Sequence, residues 1–279
     1  MFDEKRKLIG FVVEIACIIA VLIVYAAPFY FIILNSMKDR RTAGLMNMNW
    51  PESFHFFDNY VEAFRASNYS VLRGFLNSTI ITSGSIILLI VICSLAGYII
   101  GRKSGKRMLL VNFLLLAGLM IPPSILPTIY VLKYLGIFKT LFGMILVEVS
   151  INIPFATILY RGYVSTVPKE IEEAAIIDGS GRLGMFFRVV FPILMPVTVT
   201  ISIITGIAIF NDFTNPLYFL PGAKNVTVQL TLYNFTNRFS SSWNLLFADA
   251  VLITVPPVIA YIFLNKRVIS GIATGAIKG

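Results

Sequence analysis

The feature that most restricts this chain is a series of apolar blocks, each long enough to cross a lipid bilayer. A helix needs about 20 apolar residues to span a hydrocarbon core. Residues 8–34, 78–100, 108–131, 141–160 and 193–210 have that character, with few charges inside. A sixth block, 245–264, carries Asp249 and the pair Pro256–Pro257, a kink that neighbouring helices in a membrane bundle can accommodate. With 57% hydrophobic and 13% charged residues, a water-soluble fold of this length could not bury the apolar surface. The pattern predicts an all-α, polytopic membrane protein: one transmembrane domain over residues 1–279, with six spans. Outside the spans it predicts an internal polar loop at 165–191 and a short tail at 265–279.

The loops carry the orientation. With the N-terminus inside, the inner segments hold Lys5, Arg6, Lys7, Arg102, Lys103, Lys106, Arg107, Arg161, Lys169, Arg182, Arg188, Lys266, Arg267 and Lys278. That is 14 of the 23 basic residues, and the short loop 102–107 is especially rich in them. Basic residues concentrate on the cytoplasmic side, so both termini and the loop 165–191 are expected there. The same bias explains the net charge of +9 without a nucleic-acid partner, since no run of five or six basic residues is present. The first block follows a basic KRK, and Val24-Tyr25-Ala26 outlines a leader-type cleavage site. Its apolar run continues to Leu34, beyond the core of a leader, so it reads as an uncleaved span.

The loop 165–191 is the anomaly. Pro168 suits the first turn of a helix, and Glu170, Glu172 and Glu173 then lie near the positive end of its dipole. Ala174 and Ala175 favour the helix without adding bulk, and Gly179 can supply the left-handed residue that ends it. The spacing predicts a helix over about 168–178, then a second, RLGMFFRVVF, leading back to the bilayer. Such a helix either docks on a protein partner, with Met185, Phe186 and Phe187 as apolar anchors, or rests on headgroups. Net acidity disfavours headgroups on an anionic leaflet.

Glu173-Ala174-Ala175, three residues, Gly179, nine residues and Val189-x-Phe191-Pro192 resemble the EAA loop of ABC importer permeases, with Val and Phe in place of the usual Ile and Leu. NDFTNPLYFL at 211–220 is similar to a segment of maltose-type permeases, with Phe210 where Trp is usual. The ending RVISGIATGAIKG is similar to the tail of the smaller permease subunit, and Asn59-Tyr60 and Asn77-Ser78 also fit. The resemblance covers nearly the whole chain. It implies the type I ABC importer permease fold and a carbohydrate cargo. It implies ATPase coupling through Glu173, Ala174, Ala175, Asp178, Gly179, Met185 and Phe186, and a tail contact through Gly275, Ala276 and Lys278. The implied partners are a second, homologous permease subunit forming a heterodimer, two cytoplasmic ABC ATPase subunits and an extracellular or periplasmic solute-binding protein. ATP and Mg would sit on the ATPases, with no cofactor in this chain. The implied place is the bacterial or archaeal cell membrane.

Four acids lie in or beside the spans: Glu14, Glu148, Asp212 and Asp249. A charge at the bilayer centre costs about 2.5–3.5 kcal/mol on insertion scales, so such groups face a cavity or a partner. Glu14 and Asp249 are close enough to span ends to be solvated. Glu148, with Asn152 one turn on, lines the pathway or joins two subunits. Asn211, Asp212 and Asn215, by the family pattern, begin a loop reaching toward the binding protein.

Enzymatic chemistry finds no footing. His55 is the only histidine, so neither a metal site nor a catalytic triad is expected. Cys17 and Cys93 fall in apolar blocks and read as buried thiols. GRKSGKR at 101–107 lacks the spacing of a phosphate loop, because three residues separate its glycines and Arg107 stands where Ser or Thr is needed. The sequons at Asn77, Asn225 and Asn234 matter only in a glycosylating compartment. The competing cargoes are a polyol, a sugar phosphate or a peptide. An intramembrane enzyme or a receptor would leave the loop 165–191 without a role.

Overall fold

The computed structural model describes residues 2–236 and 241–276. All regular structure among them is helical. The chain divides into two compact units, Met1–Val71 with Thr231–Val255, and Leu72–Leu230 with Pro256–Gly279.

In the first unit, α1 (Phe2–Ser36) is a long apolar helix that buries little of its surface within the chain. Cys17, expected to be buried, lies exposed on it. After a short turn, α2 (Arg40–Ala43), the chain enters α3 (Phe56–Arg102). That helix is broken at Ala66–Tyr69, where Ser67, Asn68 and Tyr69 take left-handed backbone angles. The last helix of the chain, α12 (Trp243–Ala276), begins in this unit. Asn59 ties the ends together. Its amide donates to the carbonyls of Ser36 and Lys38 at 2.9 and 2.8 Å, and its oxygen accepts from Asn244 at 2.7 Å. Phe31 meets Phe247 edge to face at 5.5 Å. Asp249 is fully buried rather than solvated, and accepts the Thr231 hydroxyl at 2.8 Å. A buried carboxylate needs such a donor, and helical spacing alone did not reveal it.

The second unit holds the rest of α3 and a bent pair, α4 (Lys106–Met120) and α5 (Ile125–Tyr134). Then come α6 (Leu141–Val164), α7 (Glu170–Ile177) and α8 (Arg182–Met185). A π-helical turn (Phe186–Val190) and α9 (Phe191–Ile193) lead to α10 (Met195–Phe210) and α11 (Thr214–Phe219). The apolar run 108–131, expected as one span, is two helices bent by 114°. Pro122 and Pro123 remove two backbone donors and force the preceding Ile121 into an extended conformation. A second bend, of 71°, separates Arg182–Ile193 from α10 at Leu194. Among the described residues, three helices are long and apolar enough to cross a membrane, or five if each bent pair is one span; Trp243–Ile259 is a shorter apolar helix.

The core of this unit forms where α3, α6 and α10 meet. Tyr160 of α6 is fully buried and donates to Thr198 of α10 at 2.9 Å. Leu89 and Cys93 of α3, Met144 and Val164 of α6, and Ile201 of α10 fill the same core. It ends against the loop 165–191, whose Ala175, Met185 and Phe186 belong to it.

Candidate functional site: the loop helix and a buried polar pair

The loop begins as α6 runs out. Ser165 and Thr166 turn their hydroxyls back onto the carbonyls of Gly162 and Tyr163, at 2.6 and 2.8 Å. Val167 then tucks inward. α7 starts at Glu170, two residues later than Pro168 suggests, with Glu170, Glu172 and Glu173 in its first turn. Carboxylates there are stabilised by the helix dipole. Its far end is a Schellman cap. Ser180 N–H donates to the Ala175 carbonyl and Gly179 N–H to that of Ile176, both at 3.0 Å. Gly179 has φ +83°, which a side chain would strain, so the glycine is required by this exit.

α7 therefore has two distinct faces. Glu172 and Ala175, three residues apart, turn inward and are buried. Glu173, Ala174, Ile176, Ile177, Asp178 and Gly179 are exposed, Ile177 by 85%. The buried Glu172 is held tightly. Its Oε1 lies 2.6 Å from both Nε and Nη2 of Arg102, and its Oε2 accepts the Tyr98 hydroxyl at 2.7 Å. Arg102 also donates to the Val167 carbonyl at 2.8 Å.

Met185 and Phe186, read as anchors for a partner, face the opposite way. They are only 6% and 2% exposed and pack on Tyr98, whose ring lies 5.3 Å from that of Phe186. A π-helical turn, Phe186–Val190, follows directly on α8, and both Phe186 and Val190 within it are buried. The apolar side chains that remain outside are Ile171, Ile176, Ile177, Leu183 and Phe187. Glu172 was not singled out by sequence. Its neighbour in the chain is the acid of the loop pattern, and Arg102 is 70 residues away. The one available signal was its three-residue spacing from Ala175. Gly275 and Ala276 close α12, and Lys278 lies outside the described residues.

The second polar cluster lies in the same unit. Glu148 of α6 is 3% exposed, and its carboxyl meets the side chains of Asp212 and Asn215. Asp212 is oriented by the backbone of α11, accepting from the N–H groups of Thr214 and Asn215 at 2.9 and 3.3 Å. Asn152, one turn on, donates to the Glu148 backbone carbonyl at 2.9 Å. Asn211 stands apart and accepts from Gln229 at 3.2 Å, a partner that sequence reading missed. A groove of about 620 Å³ runs between α3 and α10, with Pro256 and Pro257 also in its lining; only Thr82, Thr198 and Ser202 interrupt its apolar wall.

Comparison with known proteins places these features in a lineage. The family described as "binding-protein-dependent transport system inner membrane component" matches residues 93–273. The melibiose/raffinose/stachyose import permease protein MelC of Bacillus subtilis (strain 168) is 33% identical over 284 residues, covering 100% of both chains. The probable starch degradation products transport system permease protein AmyC of Thermoanaerobacterium thermosulfurigenes is 26% identical, covering 92% of this chain and 93% of its own. A chain of a bacterial ABC transporter involved in the import of the acidic polysaccharide alginate superposes with a TM-score of 0.79 at 18% identity, over 94% of this chain and 97% of that one.

Proposed function

From the premise that the chain belongs to the binding-protein-dependent transport system inner membrane components, we propose that it is one permease half of an ATP-driven importer of a sugar or oligosaccharide. A second homologous permease would complete the pathway. Two ATPase subunits would bind ATP and Mg on the inner side, and a solute-binding protein would deliver the sugar outside. The sugar cargo is supported by relatives named as permeases for melibiose, raffinose and stachyose and for starch degradation products. The basic bias of the loops supports an orientation with both termini and α7 in the cytoplasm of a bacterial or archaeal cell.

The observation that carries this reading is the outward face of α7. Glu173, Asp178 and the small Ala174 and Gly179 stand exposed beside Ile177, on a helix whose other face is locked to the bundle. The acids suit basic groups on an ATPase, and the small side chains let its surface approach the backbone closely. Movement of the ATPases would then carry α7 as a rigid body. Outside, Asn211 and the Asp212 loop are the contact points proposed for the pathway or the binding protein; the tail residues Gly275, Ala276 and Lys278 are proposed to reach the ATPase.

The test is reconstitution of the complete transporter in proteoliposomes, with uptake of labelled raffinose and retention of the ATPase subunits as readouts. Glu173→Arg is expected to strip the ATPases from the complex and abolish uptake. Full retention and uptake in that variant would overturn the reading.

A further inference from the structure

The geometry points to Arg102, Glu172 and Tyr98 as the joint through which movement of α7 reaches α3, making them positioning residues for coupling. This deepens the proposed function and rests on it.

The loop 165–191 is joined covalently to α6 at one end and, through α9, to α10 at the other. Nothing in the chain order attaches it to α3. The attachment is made by side chains at the last turn of that helix. Arg102, the final residue of α3, holds Glu172 on α7 and the carbonyl of Val167, which lies between α6 and α7. Tyr98, one turn earlier, donates to Glu172 and packs on both Met185 and Phe186. Two residues of α3 thus grip both arms of the loop.

The kind of contact matters as much as its place. Ala175 is the only other buried residue of α7. A small apolar face can slide or pivot at little cost. A shielded ion pair cannot, because separation would leave each charge poorly solvated and unpaired. The side chains of Arg102 and Glu172 are only 13% and 12% exposed, Nε and Nη2 both lie 2.6 Å from Oε1, and Tyr98 holds Oε2, so the link resists separation. A pull on the outer face of α7 is therefore delivered to α3. The same helix supplies Thr82, Ile86 and Ile90 to the wall of the groove it shares with α10. Displacement of the loop would then be felt where that groove opens or closes.

The experiment uses the complete transporter in proteoliposomes, with Cys17 and Cys93 replaced by serine and a single cysteine introduced as Ile86→Cys. The rate of labelling by a water-soluble maleimide is measured with and without ATP plus vanadate, alongside ATPase retention and ATP hydrolysis. In this parent, the nucleotide is expected to change the labelling rate; no change would overturn the proposal, because the α3 wall would not be moving. Glu172→Gln is expected to keep the ATPases bound and hydrolysing while the nucleotide-dependent change shrinks about tenfold. Arg102→Lys, which keeps the charge but cannot hold Glu172 and the Val167 carbonyl together, is expected to fall between. An unchanged response in Glu172→Gln overturns the joint and leaves the docking reading intact. Loss of the ATPases from Glu172→Gln also overturns it, since the residue would then serve docking. Should neither charge variant assemble, Tyr98→Phe decides, because it leaves the ion pair in place. It is expected to reduce the response about threefold, and an undiminished response overturns the proposal. Glu173→Arg is the separate control: if it retains the ATPases, the docking reading fails and the joint fails with it.

Discussion

A Cβ at Gly97 would stand 2.5 Å from the Cβ of Tyr160, so α3 and α6 meet there with no room for a side chain between them. The Arg161 backbone nitrogen is 3.0 Å from the same point, which leaves no flexible neighbour to yield. Tyr160 in turn donates to Thr198 of α10. One glycine thereby sets the level at which three helices are pinned.

Gly97→Ala is expected to destabilise the protein by about 1–3 kcal/mol, the usual cost of overpacking a tight core. Thermal unfolding of the purified protein in detergent is the measurement. Gly162→Ala is the control, because nothing lies within 4 Å of a Cβ there; its unfolding temperature is expected to match or exceed the parent's, since alanine suits a helix better than glycine. An equal drop in both would refute the close approach of α3 to α6.

The hydroxyl and the ring of Tyr160 are expected to contribute very differently. Thr198 keeps its own bond to the Leu194 carbonyl when the phenol is removed, so Tyr160→Phe is expected to cost only about 0.5–1.5 kcal/mol. Tyr160→Ala empties the centre of the core and is expected to cost about 3–5 kcal/mol. Comparable losses from the two variants would show that the hydrogen bond, not the packing, holds this point.

Exposed and buried apolar residues of the loop are expected to separate two readouts. Ile177→Asp and Leu183→Asp change side chains that are 85% and 70% exposed, so folding stability is expected to move by no more than about 0.5 kcal/mol while ATPase retention falls. Phe186→Ala is expected to do the reverse, lowering the unfolding temperature through about 3–5 kcal/mol of lost packing. The reverse pattern would mean that Met185 and Phe186 reach the partner after all.

The C-terminal cap of α7 makes a prediction about backbone alone. Gly179→Val is expected to cost about 1–3 kcal/mol locally, because a β-branched residue is strained at φ +83°. Gly179→Asn, which tolerates that region better, is expected to retain most ATPase binding. Side-by-side pull-down of the ATPase subunits by the two variants is the check, and equal binding would remove the conformational argument.

Asn59 is expected to be the costliest polar residue to remove in the first unit. Asn59→Ala leaves the Ser36 and Lys38 carbonyls and the Asn244 amide each short of a bond, for about 2–3 kcal/mol in all. Unfolding in detergent measures it; a loss below 0.5 kcal/mol, the usual limit for an ordinary surface change, would contradict the geometry.

Much of this was legible because lipid as a solvent enforces long apolar blocks, and because turns announce themselves chemically. The helix 170–177 and its glycine exit follow from Pro168, three acids, two alanines and Gly179, all local signals. The break at Pro122–Pro123 was equally local, yet the apolar run masked it: hydropathy averages over a window and does not register missing N–H donors. Met185 and Phe186 read as partner anchors because they are apolar side chains in a loop, yet they pack inward on Tyr98 of α3, and a contact between residues so far apart along the chain leaves no mark in a single sequence.

By itself the sequence determined the solvent of this protein, its helical class and its loop chemistry, because each of those is written in composition or in spacings of a few residues. Only the tertiary structure decided that Glu172 answers to Arg102, that Glu148 meets Asp212, and that Asp249 is buried on Thr231. Those pairs lie far apart along the chain or across a folded turn, and a charged residue in the sequence carries no mark of which side chain the fold will bring beside it.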